Sequence, residues 1–87
     1  MKENILKTKS LLFAIRVVNL YKFLCEDKKE YILSKQILRS GTSVGAMVRE
    51  AEFSESNIDF IHKLSIAQKE INETLYWLEL LSETKFI

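Results

Sequence analysis

The sequence has no proline and only two glycines, Gly41 and Gly45, in 87 residues. A sheet protein needs turn residues more often than that. Long uninterrupted helices fit better. One cysteine, Cys25, excludes an internal disulfide and fits a reducing compartment. Leu24 and Glu26 beside it do not activate a thiolate, so it reads as structural. His62 is the only histidine, and Ile58 and Ile66 hold the positions four residues away. No metal pair forms around it, and it reads as a surface or interface residue. The formal net charge is +1. The whole molecule therefore has no strong pull on nucleic acid or on an anionic membrane. The most apolar stretch, Leu11–Leu24, is short and broken by Arg16, Asn19 and Lys22, so no membrane span is expected. Met1–Ser10 is polar and mixed, unlike a signal peptide, and a cytoplasmic protein is expected.

Apolar residues are plentiful. They make up 47% of the chain, which excludes a disordered one. The length suits one domain, residues 1–87, with a modest core of its own. The pattern predicts an all-α, antiparallel up-and-down bundle of three long helices, at about 3–24, 28–52 and 57–82.

In the first helix Arg16, Asn19 and Lys22 fall three apart and form a narrow polar stripe. Leu12, Phe13, Ile15, Val17, Val18, Leu20, Tyr21, Phe23 and Leu24 cover most of the remaining circumference. A helix apolar on most sides is buried on most sides. Two sister helices cover only part of it, so partners are expected. Asp27 and Glu30 are spaced as a capping box for the second helix. Its buried face reads Leu33, Gln36 or Ile37, Ser40, Val44, Met47 or Val48, and Ala51. The run Ser40-Gly41-Thr42-Ser43-Val44-Gly45-Ala46 has poor intrinsic helicity. It is either a loop or a helix whose small side chains admit a close neighbour. The apolar period passes through it in register, which favours the helix. Ser56 and Asp59 suit the start of the third helix. Ile61, Leu64, Ala67, Ile71, Leu75 and Leu78 make its core stripe. Phe60, Trp77, Leu80 and Leu81 widen that stripe, so excess apolar surface is expected around the first helix and at Trp77–Leu81.

Few polar groups converge. No catalytic residue, cofactor site or small-molecule substrate is identified, and an enzyme is not expected. Glu50 and Glu52, with Glu70 and Glu73, lack the Glu-x-x-His element of carboxylate-bridged metal bundles, so no metal is expected. Arg39, beside the small-residue face, needs a carboxylate, and Glu70 or Glu73 can supply it. Ser40, Gly41, Ser43, Gly45, Glu50 and Trp77 read as packing or structural residues. Charge is uneven. Residues 1–25 carry Lys2, Lys7, Lys9, Arg16 and Lys22 against Glu3 alone. Residues 56–87 carry Asp59, Glu70, Glu73, Glu79 and Glu83 against Lys63, Lys69 and Lys85. The two ends attract each other within or between protomers, or the basic strip meets phosphate. The candidates for nucleic acid are Lys7, Lys9, Arg16, Lys22, and the cluster of Lys28, Lys29 and Lys35 around Tyr31.

The segment Ser34-Lys35-Gln36-Ile37-Leu38-Arg39-Ser40-Gly41-Thr42-Ser43-Val44-Gly45-Ala46, followed by Arg49-Glu50-Ala51, resembles the bacterial "four helix bundle protein" family. So do Ser56, Asp59-Phe60-Ile61, Lys63-Leu64, Ile66-Ala67, Lys69-Glu70, Glu73-Thr74 and Tyr76-Trp77-Leu78. That family includes proteins encoded in intervening sequences of 23S rRNA genes, often labelled ribosomal. It is also similar to accessory variability proteins of diversity-generating retroelements. The resemblance implies an antiparallel four-helix bundle, a ring-like homo-oligomer that is a pentamer, and a scaffold or accessory role without catalysis. Nucleic-acid binding is implied only through the strongly basic retroelement relatives. Members similar to this chain carry Asn where Met47 stands, and the family has a fourth helix where this sequence stops at Ile87.

Overall fold

The computed structural model describes residues 3–87. They form α1 (Glu3–Glu26), α2 (Leu33–Glu52) and α3 (Asn57–Glu83), with no strand among the described residues. The all-α, up-and-down architecture matches the expectation. The four-helix bundle does not. The described residues hold three helices, with no fourth among them, which corrects it.

α1 ends where Lys29 takes the left-handed conformation, φ 55°, and the Glu30 N–H turns back to the Leu24 carbonyl at 2.9 Å. This break delays α2. It begins at Leu33 rather than near Lys28, because the Glu30 carboxylate accepts the N–H groups of Ile32, Leu33 and Ser34 at 3.2, 2.9 and 2.7 Å. Glu30 thus satisfies the orphan donors of the helix start itself, and the expected Asp27–Glu30 capping box does not form. The small-residue run is continuous helix. Its hydroxyls bond backward along the helix, Thr42 Oγ1 to the Leu38 carbonyl and Ser43 Oγ to the Arg39 carbonyl, each at 2.7 Å. In that geometry they leave the ladder of backbone bonds intact. Ser56 caps α3 by accepting the Asp59 N–H at 3.0 Å.

α2 is the central element. It packs against α1 and against α3, whereas no Cα of α1 lies within 8 Å of a Cα of α3. Two core clusters follow. Val17, Leu24, Ile37 and Leu81 form one; Val44, Val48 and Ala67 form the other, and half-buried Phe13 packs on both. The Trp77–Leu81 end is not the apolar excess that was expected. Leu81 is fully enclosed, and Trp77, Leu78 and Leu80 are half-covered. The excess lies elsewhere on α3. Ile61, Ile71 and Leu75, three members of its predicted core stripe, are exposed, Ile61 by 63% and Leu75 by 55%. α3 has one packing neighbour, so only one edge of its stripe is covered. Around α1 the expected excess is present, at Ile5, Leu11, Leu12 and Ile15.

Candidate functional site

The α2–α3 seam carries a polar cluster. Arg39 Nη1 meets Glu70 Oε1 at 3.3 Å, and Nη2 donates to Glu73 Oε2. The same Glu73 oxygen accepts the Trp77 indole N–H at 2.9 Å. That indole and the Arg39 guanidinium hold the Glu73 carboxyl below its ordinary range, and Glu73 raises Arg39 in turn. One turn inward, Ser40 and Thr74 share a hydroxyl–hydroxyl hydrogen bond of 2.8 Å, with both residues fully buried. Thr74 was not singled out in the sequence. Its spacing of seven from Ala67 and from Leu81 is the signal that places it in the core. No buried side-chain donor or acceptor in this cluster lacks a partner, and its contacts run between α2 and α3, so it is a fastening between helices.

The α1–α2 seam uses the glycines differently. A Cβ on Gly41 would stand 2.6 Å from a Val17 methyl carbon. A Cβ on Gly45 would stand 3.5 Å from the Ser10 carbonyl oxygen, an ordinary contact. Ser43 faces its own helix. Two further ion pairs fasten the bundle: Lys63 to Glu50 at 2.9 Å and Lys7 to Glu52 at 3.8 Å. Glu50 raises the Lys63 ammonium by that hydrogen bond and its charge. Among the described residues all four ion pairs run to α2, and none joins the basic first helix to the acidic third.

The remaining basic residues do not converge. Lys9 and Arg16 share a face of α1, while Lys22, six positions on, is turned roughly 120° away. Lys7 is engaged by Glu52. Lys28 stands 5.7 Å from the Phe23 ring centroid, and Lys29 donates to the Glu26 carbonyl at 2.9 Å. Lys35 and Tyr31 are exposed. His62 is exposed, and no group of three or more His, Cys, Asp or Glu among the described residues is placed to hold a metal ion. Cys25 lies 3.7 Å from the Ser34 hydroxyl.

What the sequence pattern did not locate is a groove. It runs between α1 and α3 and is floored by α2. At one level Leu6, Phe13 and Ile71 stand around Val44, leaving a depression of about 220 Å³ with Lys9 at its rim. At the next, Leu6, Phe60 and Leu64 stand around Val48 and Ala51, leaving about 320 Å³. The walls are almost wholly apolar. The backbones of α1 and α3 stay apart, and their side chains meet at the end where Val17 and Leu24 pack with Leu81, so the groove is open at the other end, where Leu6 faces Phe60 and Leu64. No helix among the described residues is long and apolar enough to cross a membrane.

The profile of the family described as 23S rRNA-intervening sequence protein matches residues 2–87. A solved structure of a protein with unknown function from the S23 ribosomal protein family of Bacteroides thetaiotaomicron is 64% identical. It superposes with a TM-score of 0.97, covering 100% of this chain and 78% of that one. No curated protein matches. A family match over almost the whole chain, joined to this identity and superposition, places the resemblance on firm ground: the chain belongs to the 23S rRNA-intervening sequence protein family.

Proposed function

We propose that this chain works as a non-enzymatic, self-associating helical scaffold or accessory protein. The observation that carries the reading is the open apolar groove between α1 and α3, together with the exposed leucines and isoleucines of α1. Contiguous exposed apolar surface on a small protein marks an interaction site. A chain of this length buries only ~60% of its unfolded surface, so covering the groove adds apolar burial that the monomer lacks. The polar clusters support the same reading, since each fastens one helix to the next. An RNA- or DNA-binding role is less well supported, because Lys22 lies off the face shared by Lys9 and Arg16 and Lys7 is already paired.

Size-exclusion chromatography with light scattering tests the proposal. The 87-residue chain at tens of micromolar is expected to elute with the mass of two or more copies. A folded monomer at that concentration overturns self-association. Retardation of a short RNA duplex at low salt, abolished at high salt, would instead revive the phosphate-binding role.

A further inference from the structure

The α1–α2 seam has a second concavity on its far side. It lies across Ser10 from the groove and takes no residue from α3. We propose that this notch binds a small organic oxyanion. A phosphate or carboxylate group is held between Lys7 and Arg49, and a compact apolar body lies over Leu11 and Ala46. The site does not depend on the self-association proposed above.

The sequence makes the notch by leaving side chains out. Ala14, Gly45 and Ala46 offer no more than a methyl group each, and Leu11, 46% exposed, stands beside them as a wall. The two helices therefore leave a depression of about 230 Å³ between them. A concave, mainly apolar lining with a few polar groups is the usual make-up of a small-molecule site.

The polar groups collect at one end. Ser10 lies level with Gly45, whose missing Cβ would stand 3.5 Å from the Ser10 carbonyl oxygen. The helices run antiparallel. Three residues back along α1 is Lys7 and four residues on along α2 is Arg49, so both reach the same end of the notch, which both line. Arg49 was not among the cations singled out in the sequence, and it makes no ion pair among the described residues. Glu52 approaches Lys7 only to 3.8 Å, a charge contact beyond hydrogen-bond length, so the ammonium keeps its donors. Two cations over an apolar floor focus a positive field there. The arginine fork matches the two oxygens of a phosphate or carboxylate. The hydroxyls of the lining do not compete for that role. Ser10 Oγ donates to the Lys7 carbonyl at 3.1 Å and Thr42 Oγ1 to the Leu38 carbonyl at 2.7 Å, so their protons are already placed. Charge recognition falls to Lys7 and Arg49, and the apolar floor selects the body.

The test follows backbone amide shifts of the full chain by NMR titration. The probes are phenyl phosphate, benzoate, inorganic phosphate and benzyl alcohol. Phenyl phosphate or benzoate is expected to move the Gly45 and Ala46 amides with a Kd of about 1–10 mM. Whichever of the two binds more tightly identifies the head group. Inorganic phosphate lacks the apolar body and benzyl alcohol lacks the charge; each is expected to bind at least about five-fold more weakly. Arg49→Gln, at an exposed position, is expected to weaken the better probe by about five-fold or more. Ala46→Leu, also exposed, keeps both cations and fills the floor, and is expected to bring the better probe down to the level of inorganic phosphate. Lys35→Gln removes an exposed cation at the opposite end of α2 and is expected to change nothing. Circular dichroism checks that the variants stay helical. Silent Gly45 and Ala46 amides with every probe overturn the site. So does binding that Lys35→Gln weakens as much as Arg49→Gln does, which is general attraction to surface cations. Binding that Ala46→Leu leaves unchanged overturns the notch as its seat.

Discussion

Ser40 of α2 and Thr74 of α3 meet hydroxyl to hydroxyl at 2.8 Å, in a seam where neither is exposed to solvent. Thr74 Oγ1 also lies 2.8 Å from the Glu70 carbonyl. A threonine hydroxyl has one proton to give. When that proton goes to the carbonyl, the proton of the shared bond comes from Ser40. The two helices are therefore locked by a buried polar contact whose members depend on each other. Thr74→Val leaves Ser40 with only its long 3.5 Å link to the Ile37 carbonyl. The expected loss is about 1–3 kcal/mol, since a buried hydroxyl loses its good partner. Ser40→Ala leaves Thr74 its carbonyl acceptor and is expected to cost about 1 kcal/mol. The double variant is expected to cost less than the sum of the two, because no hydroxyl is then stranded. Urea unfolding of the four proteins completes the cycle, and strict additivity would show that the contact does not couple the helices.

The two glycines of α2 are predicted to differ in sign. Gly41 sits under Val17, which is 5% exposed and stiff about its first side-chain torsion. A methyl group there collides with Val17 at 2.6–3.1 Å. Gly41→Ala is expected to destabilise by about 1–3 kcal/mol through overpacking. At Gly45 the added methyl makes ordinary contacts with Ser10, and removing a helix-interior glycine gains up to ~1 kcal/mol. Gly45→Ala is therefore expected to be neutral or stabilising. Thermal unfolding monitored by circular dichroism measures both, and a shift of the same sign at the two positions contradicts the assignment of Gly41 as the close-approach site.

These glycines also show how far the sequence could be read. Unbroken periodicity from Ile37 to Ala51 identified α2 as one helix in spite of its small residues, and the absence of proline made three long helices the natural reading. Spacing alone could not separate Gly41 from Gly45, because the distinction depends on which α1 side chain lies opposite each. Nor could it divide the stripe of α3. Ile61, Ile71 and Leu75 have the same periodicity as Ala67, yet they stand exposed. Periodicity reports which face of a helix is apolar; how many neighbours cover that face is a tertiary fact. The start of α2 was misplaced for a related reason. Lys29 in a left-handed conformation carries no sequence signal, and it frees Glu30 to cap from outside the helix.

The Glu73 carboxylate predicts an acid-sensitive seam. Its carboxyl titrates below the ordinary range because the Trp77 indole N–H and the Arg39 guanidinium favour its charged form. A group depressed in the folded state contributes stability that is complete above its unfolded value, ~4.3 for glutamate, and is lost as the pH falls through the folded value. Urea midpoints are thus expected to decline below about pH 4.5, with part of that decline belonging to Glu73. Glu73→Gln is expected to lower the midpoint at neutral pH and to flatten the acid limb. Trp77 emission reports the same step, since its N–H loses a charged acceptor. An acid limb of unchanged slope in Glu73→Gln would assign the sensitivity to other carboxylates.

The C-terminus of α3 is predicted to improve on substitution. The Phe86 N–H donates to the Leu81 carbonyl at 2.9 Å and the Lys85 N–H to the Ser82 carbonyl at 3.1 Å. Those two bonds, with Phe86 packed on the Leu81 cluster, form a Schellman stop. Its pivot, Lys85, has φ 72°, where glycine is the usual occupant. A side chain in that region costs about 1–2 kcal/mol, and glycine returns part of the gain as backbone entropy in the unfolded chain. Lys85→Gly is expected to stabilise the chain by about 0.5–1 kcal/mol. Lys85→Ala keeps the strain, loses only an exposed ammonium, and is expected to change little. Chemical denaturation of the pair separates a backbone effect from a charge effect. Equal stabilisation by glycine and alanine would mean that the gain comes from removing the lysine charge and not from the left-handed turn.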